Sequence, residues 1–133
     1  MIQASVRWEQ QTQFDGQAGS GHSIKVDGDS KAGNSPMELV LIALCACTAY
    51  DVVTILQKKR EPFTGVAVSA RAEKAPTPPQ VYTEIKLTYR VAGNVSRKAV
   101  EDAVRLSEEK YCSVAAMLSK TAKMTYEIEL DSK

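Results

Sequence analysis

The sequence predicts an α+β protein whose largely antiparallel sheets surround one long central helix, and three observations carry that prediction. Residues 35–60, SPMELVLIALCACTAYDVVTILQKKR, form a long apolar segment with a helix start at one end and a helix stop at the other. Short runs on both sides of it alternate apolar and polar residues, the period of a half-buried strand. Two or three such runs precede the helix and two follow it, then two helical patterns lead to a last alternating run, so strands and helices are segregated along the chain.

The first run, Gln3–Gln10, sets Ala4, Val6 and Trp8 against Ser5, Arg7 and Glu9. Gln13–Gly16 reads as a short return strand ending in the glycine-rich turn 16–21, and His22–Asp27 alternates again with Ile24 and Val26 on one face. Residues 28–34 are a polar loop feeding the long helix. Its start is well specified: Ser35 is an N-cap, Pro36 occupies the first helical position, and Glu38 completes a capping box. Lys58, Lys59 and Arg60 suit the negative end of the helix dipole, and Pro62 prevents continuation. Between these ends Leu39–Cys47 is unbroken apolar or small, and only Thr48, Asp51 and Thr54 interrupt the remainder as far as Leu56. A helix apolar all round must be covered all round. A bilayer span needs about 20 such residues, but Glu38 and Asp51 fall inside that length, which favours a soluble protein with no membrane partner.

After the helix, Thr64–Lys74 places Val66, Val68 and Ala70 on one face, and Val81–Val91 turns Ile85, Leu87, Tyr89 and Val91 inward with Glu84, Lys86, Thr88 and Arg90 outward. The proline-rich stretch 75–79 joins them as a hairpin. Ser96 caps a second helix with an apolar stripe of Val100, Ala103, Val104 and Tyr111 and a solvated face of Arg97, Glu101, Arg105 and Glu108. Cys112 and Ser113 open a short third helix with Val114, Met117 and Leu118 on one side. Met124, Tyr126, Ile128 and Leu130 then alternate in a terminal strand.

At 133 residues the chain is sized for a single domain, 1–133, and its formal net charge of +1 excludes the strong positive field of non-specific nucleic-acid binding. The basic run 58–60 is accounted for as a helix end. MIQASVRWEQ lacks the charged start and apolar core of a secretory leader, so a cytoplasmic location is expected. One small domain has little material to surround an apolar helix of roughly 35 Å. Two chains packing their long helices together solve that problem, and an intertwined homodimer is predicted.

Three cysteines without paired spacing do not form a disulfide scaffold. Cys45 and Cys47 lie on nearly opposite sides of a helix, His22 is the only histidine, and no metal-ligand spacing is present, so no metal is expected. Cys45 reads as a buried small hydrophobe. Cys112 begins a helix, where free N–H groups favour thiolate. If Cys112 meets Cys47 in the fold, one thiol can be oxidised to a sulfenic acid and the other can resolve it as a disulfide; spacing alone leaves the meeting open. Asp51 lies one turn after Cys47 on the same face, either as a hydrogen-bonded acid or as a site residue. Tyr50 and Tyr111 line either a core or an apolar pocket.

Residues 35–47, SPMELVLIALCAC, followed by Lys110-Tyr-Cys-Ser-Val114, resemble the two signatures of the OsmC/Ohr superfamily of OsmC-like proteins. Met37-Glu-Leu with Cys47-Thr-Ala-Tyr-Asp-Val-Val53 resembles its YhfA-like branch in particular. The resemblance implies an intertwined homodimer of α+β fold and, after the characterised members, a thiol peroxidase that reduces organic hydroperoxides, uses no cofactor and draws on a dithiol reductant. It makes Cys47 the peroxidatic thiol and Cys112 the resolving one. Where the peroxidatic pattern has glutamate directly after the proline, this chain has Met37, with Glu38 one residue later; and no arginine stands between Arg7 and Lys58, where the only cations are Lys25 and Lys31. Glu38 is therefore either a cap or a displaced site acid. Lys25 is either solvent-facing, opposite Ile24 and Val26, or a substitute for the arginine without its planar fork. Two functions remain in view: a cysteine-dependent hydroperoxide peroxidase, and a binding protein of the same fold that holds a small hydrophobic ligand.

Overall fold

The computed structural model describes residues 1–131, which fall into two compact units, Met1–Ile42 and Ala43 onward. The first unit is an antiparallel three-stranded sheet, β1 (Ala4–Gln10), β2 (Gln13–Ala18) and β3 (Ser23–Asp27), in that order. Val6 stands opposite Gly16 and Trp8 opposite Phe14, while Gly16 also faces Ile24. The alternation of β1 predicts a buried face, yet every residue of this strand is exposed, Val6 at 65% and Trp8 at 63%. Nothing within the unit covers it. The loop after β3 is organised by Asp27, which is 2% exposed and accepts hydrogen bonds from Thr12 Oγ1 (2.5 Å) and from the backbone N–H groups of Asp29 and Ala32 (both 2.9 Å).

The long helix, α1 (Pro36–Lys58), begins in the first unit and continues into the second. Its capping box forms as the sequence predicts: Glu38 N–H donates to Ser35 Oγ (3.2 Å) and Ser35 N–H to Glu38 Oε1 (2.8 Å). The far end turns at Arg60 rather than waiting for Pro62. Arg60 has φ of 58°, its N–H reaches Gln57 O and the Glu61 N–H reaches Leu56 O, the paired bonds of a Schellman stop. The expectation that α1 is covered all round is not met in one chain. Only Leu44, Thr48, Val52 and Leu56 are fully buried, a single stripe at every fourth residue, while Ile42 and Tyr50 are 50% and 69% exposed. By length and composition α1 could also cross a membrane.

The second unit holds the sheet β4 (Phe63–Lys74), β5 (Tyr82–Gly93) and β6 (Lys123–Asp131), in that order. β4 and β5 form the predicted hairpin, with Val68 opposite Tyr89. The inward face of β5 is as the alternation requires: Ile85, Tyr89 and Val91 are 0% exposed and Leu87 1%. β6, however, pairs with β5 in parallel, Leu87 opposite Tyr126, which corrects the largely antiparallel expectation for this edge. The physical reason is the connection. Three helical segments carry the chain back along the sheet between β5 and β6, and such a crossover is what a parallel pair needs.

Those segments are α2 (Arg97–Leu106), a π-helical turn over Ser107–Tyr111, and α3 (Ser113–Leu118). Ser96 caps α2 through a bond from the Ala99 N–H at 3.2 Å, and Val100, Ala103 and Val104 are completely buried. The predicted stripe breaks at the π turn. Its wider winding inserts one residue into the helical register, so Tyr111, expected inside, is 51% exposed, and Glu108, expected in solvent, is drawn partly inside. Met117 of α3, also expected on the packed side, is 68% exposed.

Candidate functional site

The site lies wholly within the second unit, where α1, β5, the π turn and the start of α3 meet. Cys47 is half-buried on α1 and Cys112 is 3% exposed at the N-cap of α3. Although 65 residues separate them, the two side chains are neighbours, close enough for the Cys47 thiol to act on that of Cys112. The question that spacing leaves open is thus answered by the fold. Cys112 Sγ also accepts the Ala115 N–H at 3.3 Å, and the Cys112 N–H donates to Ser107 O at 2.9 Å, so the residue is held from both sides.

The helix start does not make Cys112 a thiolate, contrary to the sequence expectation. Burial pushes its thiol up to about 12; the neighbouring Cys47 thiol and the charge of Asp51 add to the rise, and the Ala115 N–H offsets it only in part. One backbone donor cannot make up for the loss of water around a buried sulfur. Cys45 is half-buried on another side of α1, and burial raises its thiol as well, in keeping with a packing role.

Behind the thiols runs a chain of oxygens. Ser107 Oγ donates to Asp51 Oδ2 (2.8 Å) and contacts Thr48 Oγ1 (2.7 Å), which in turn contacts the Tyr89 hydroxyl (2.6 Å), and that hydroxyl reaches Glu108 Oε1 (2.5 Å). Thr48, Ser107 and Tyr89 are each 0% exposed. Burial pushes the Tyr89 phenol far up, helped by its bond to Glu108, and burial raises Glu108 too, against the bond from Tyr89. Asp51 is therefore a hydrogen-bonded acid that also borders the thiols, which joins the two readings its position left open.

The other two candidates lie elsewhere. Glu38 accepts from Ser35 N–H and Ser30 Oγ (both 2.8 Å), and these bonds hold its carboxyl below the usual range; it is spent as a cap. Lys25 forms an ion pair with Glu9 on the face of the first sheet, with its side chain 41% exposed. Among the described residues, no cluster of three or more His, Cys, Asp and Glu side chains could hold a metal ion.

Sequence reasoning missed Tyr89, Ser107 and Glu108 as parts of this site. The available signal was polarity inside apolar periodicity: Thr48 interrupts α1, and Tyr89 sits on an inward strand face where its hydroxyl must find a partner. Ser107 and Glu108 carried no such signal, because the π turn that aims them has no local signature.

Comparison with known proteins identifies the family and the fold. The profile of OsmC-like proteins matches residues 27–127. Protein YhfA of Escherichia coli K12 is 43% identical over 131 residues, covering 97% of this chain and 98% of that protein. A crystal structure of a hypothetical protein from Aquifex aeolicus VF5 superposes with a TM-score of 0.86 at 30% identity, over 99% of this chain and 98% of that one. The organic hydroperoxide resistance protein OhrB of Bacillus subtilis shares the fold, with a TM-score of 0.64 at 12% identity over 97% of this chain and 98% of that one.

Proposed function

The chain belongs to the OsmC-like protein family, and from that premise we propose that it is a cytoplasmic, cofactor-independent thiol peroxidase that reduces organic hydroperoxides as part of an oxidative stress response. Cys47 is the nucleophile and Cys112 the resolving thiol. The single observation that carries the reading is the proximity of two thiols that lie far apart in sequence and come from two different helices. In the first step the Cys47 thiolate attacks the distal peroxide oxygen, an S–O bond forms, the O–O bond breaks, and the departing alkoxide takes a proton to leave as an alcohol. Cys47 is then a sulfenic acid. In the second step the Cys112 thiol gives up its proton as its sulfur attacks that of Cys47, an S–S bond forms, the S–O bond breaks, and hydroxide leaves with that proton as water. A dithiol reductant returns both thiols to the starting state.

The working unit in this reading is a homodimer. The exposed Val6, Trp8, Ile42 and Tyr50 supply apolar surface that a second copy would cover. Sedimentation of a species at the mass of a single 14.5 kDa chain would remove this part of the proposal.

A second reading, a binding protein for a small hydrophobic ligand, is favoured by one specific observation. The Cys112 thiol is pushed up to about 12, and no lysine or arginine is hydrogen-bonded to either thiol among the described residues. One experiment separates the two. Reduced protein is mixed with cumene hydroperoxide or hydrogen peroxide and thiol loss is followed through a single turnover, alongside Cys47→Ser and Cys112→Ser. Peroxidase chemistry requires fast loss that prefers the organic peroxide, depends on Cys47 and ends in a Cys47–Cys112 disulfide. Loss no faster than that of a free thiol would transfer the fold to the binding reading.

A further inference from the structure

The oxygen chain behind the thiols contains more contacts than its hydroxyl protons can serve. Its four contacts run Asp51–Ser107–Thr48–Tyr89–Glu108 at 2.8, 2.7, 2.6 and 2.5 Å. Each oxygen–oxygen contact at such a distance needs one proton between its atoms; without it, lone pair faces lone pair. Ser107, Thr48 and Tyr89 bring one proton each, and an ionised carboxylate brings none. With both acids ionised, Ser107 spends its proton on Asp51 and Tyr89 spends its own on Glu108. Thr48 then has a single proton for two neighbours, and one buried contact is left empty.

We propose that Asp51 and Glu108 share one proton through Ser107, Thr48 and Tyr89, so that the two acids together carry one negative charge, not two, at neutral pH. With the proton on Glu108, the donation runs from Glu108 to Tyr89, Thr48, Ser107 and on to Asp51, and every contact is filled. With the proton on Asp51, all four donations reverse. In passing between these states each hydroxyl gives up one proton and receives one, so the chain relays a proton between the two acids without water.

The surroundings agree with a single charge. No lysine or arginine joins the chain among the described residues: Arg105 is engaged by Asp102 (3.2 Å) and Glu109 (3.9 Å), and Lys110 lies over the Tyr111 ring at 5.3 Å. The titratable groups that meet the chain are the thiols of Cys47 and Cys112 at the Asp51 end and the Tyr89 phenol beside Glu108. Burial raises Glu108 from its ordinary value, against the bond with Tyr89, which favours this end of the chain for the proton. Asp51 is then the accepting end of the chain, one turn from Cys47 on the same face of α1. The use of the chain rests on the peroxidase reading: Asp51 receives the proton released by the Cys47 thiol and returns it to the alkoxide as the O–O bond breaks. The existence of the shared proton does not rest on it.

The test is infrared spectroscopy of the reduced protein at neutral pH, in H2O and D2O, read in the carbonyl-stretch region of protonated carboxylic acids. The wild-type protein should show a band of one buried acid that shifts down in D2O. Glu108→Gln and Asp51→Asn should each abolish it with the urea midpoint kept, because in either variant the amide N–H supplies the fourth proton. Glu108→Ala, which supplies none, should lower the midpoint. A wild-type spectrum without the band, or a band that survives both amide variants, overturns the proposal. Hydroperoxide turnover measured on the same samples keeps the two readings apart: turnover without the band leaves the peroxidase and removes the shared proton, and the band without turnover does the reverse.

Discussion

Replacing Thr48 by valine tests the oxygen chain at its centre. The two side chains are nearly the same shape, and Thr48 is completely buried, so the change removes a hydroxyl without opening a cavity. That hydroxyl takes part in contacts of 2.6 Å to Tyr89 and 2.7 Å to Ser107. A net hydrogen bond is worth about 0.5–1.5 kcal/mol, which sets the expected loss at about 1–3 kcal/mol. Ser107 and Tyr89 keep their carboxylate acceptors, so no buried donor is orphaned and the loss should fall in the lower half of that range. The pH dependence is the sharper signature. Glu108 is held above its ordinary value of 4.5, so the stability it contributes is fully present below that value and drains away as pH rises through the folded one. In Thr48→Val the remaining bonds no longer require a fourth proton, the Glu108 carboxyl moves back toward its ordinary range, and the drain shrinks. The destabilisation should therefore be largest near the ordinary carboxylate value of 4.5 and narrow as the pH rises through the neutral range. The assay is urea unfolding of reduced protein at fixed chain concentration across that interval. A loss that is the same at every pH would refute the proton count, and no loss at all would refute the hydrogen bonds.

Three further outcomes follow from features of the fold. Leu44→Ala empties a fully buried position on the one packed stripe of α1 and should cost about 2–5 kcal/mol in chemical unfolding; a loss under about 1 kcal/mol would mean that the stripe is not packed as described. Ser35→Ala removes the oxygen that accepts the Glu38 N–H and should cost about 1 kcal/mol, with thiol reactivity unchanged; altered reactivity would show that the cap also serves the site. Asp27 is held down at about 2, chiefly by the Thr12 hydroxyl and the Ala32 and Asp29 N–H groups, so its contribution is present above its ordinary value of 3.8 and is lost as pH falls toward 2. Asp27→Asn should flatten the acid limb of the melting curve against pH, and superimposable limbs for the two proteins would contradict this assignment.

What could be read from the sequence was whatever is written locally. The capping box of Ser35 and Glu38 is decided within four residues, and the inward face of β5 follows from strict alternation, so both stand as predicted. The direction of β6 is not local. It depends on where the intervening helices deliver the chain, and a strand has the same alternation whichever way it runs. Glu108 and Tyr111 exchanged roles because one inserted residue in the π turn shifts every position after it, and nothing near Ser107 announces the insertion. The thiol pair could be named from its resemblance to a family, while its contact required tertiary structure. The protonation of Cys112 was misjudged because the helix start is visible in sequence and the depth of burial around it is not.

The parallel edge made by β6 also sets a clock on the newborn chain. The β4–β5 hairpin can close as soon as Gly93 is made, but the other side of β5 has no partner until residues 94–131 have been added. These are 38 residues, roughly 2–8 s of synthesis at the usual 5–20 residues per second. During that interval β5 presents an open row of backbone donors and acceptors to any other chain on the same messenger. Lys86 and Arg90, which alternate outward along the strand, put charge beside that open row, and charges on an unpaired edge discourage a second strand from joining it.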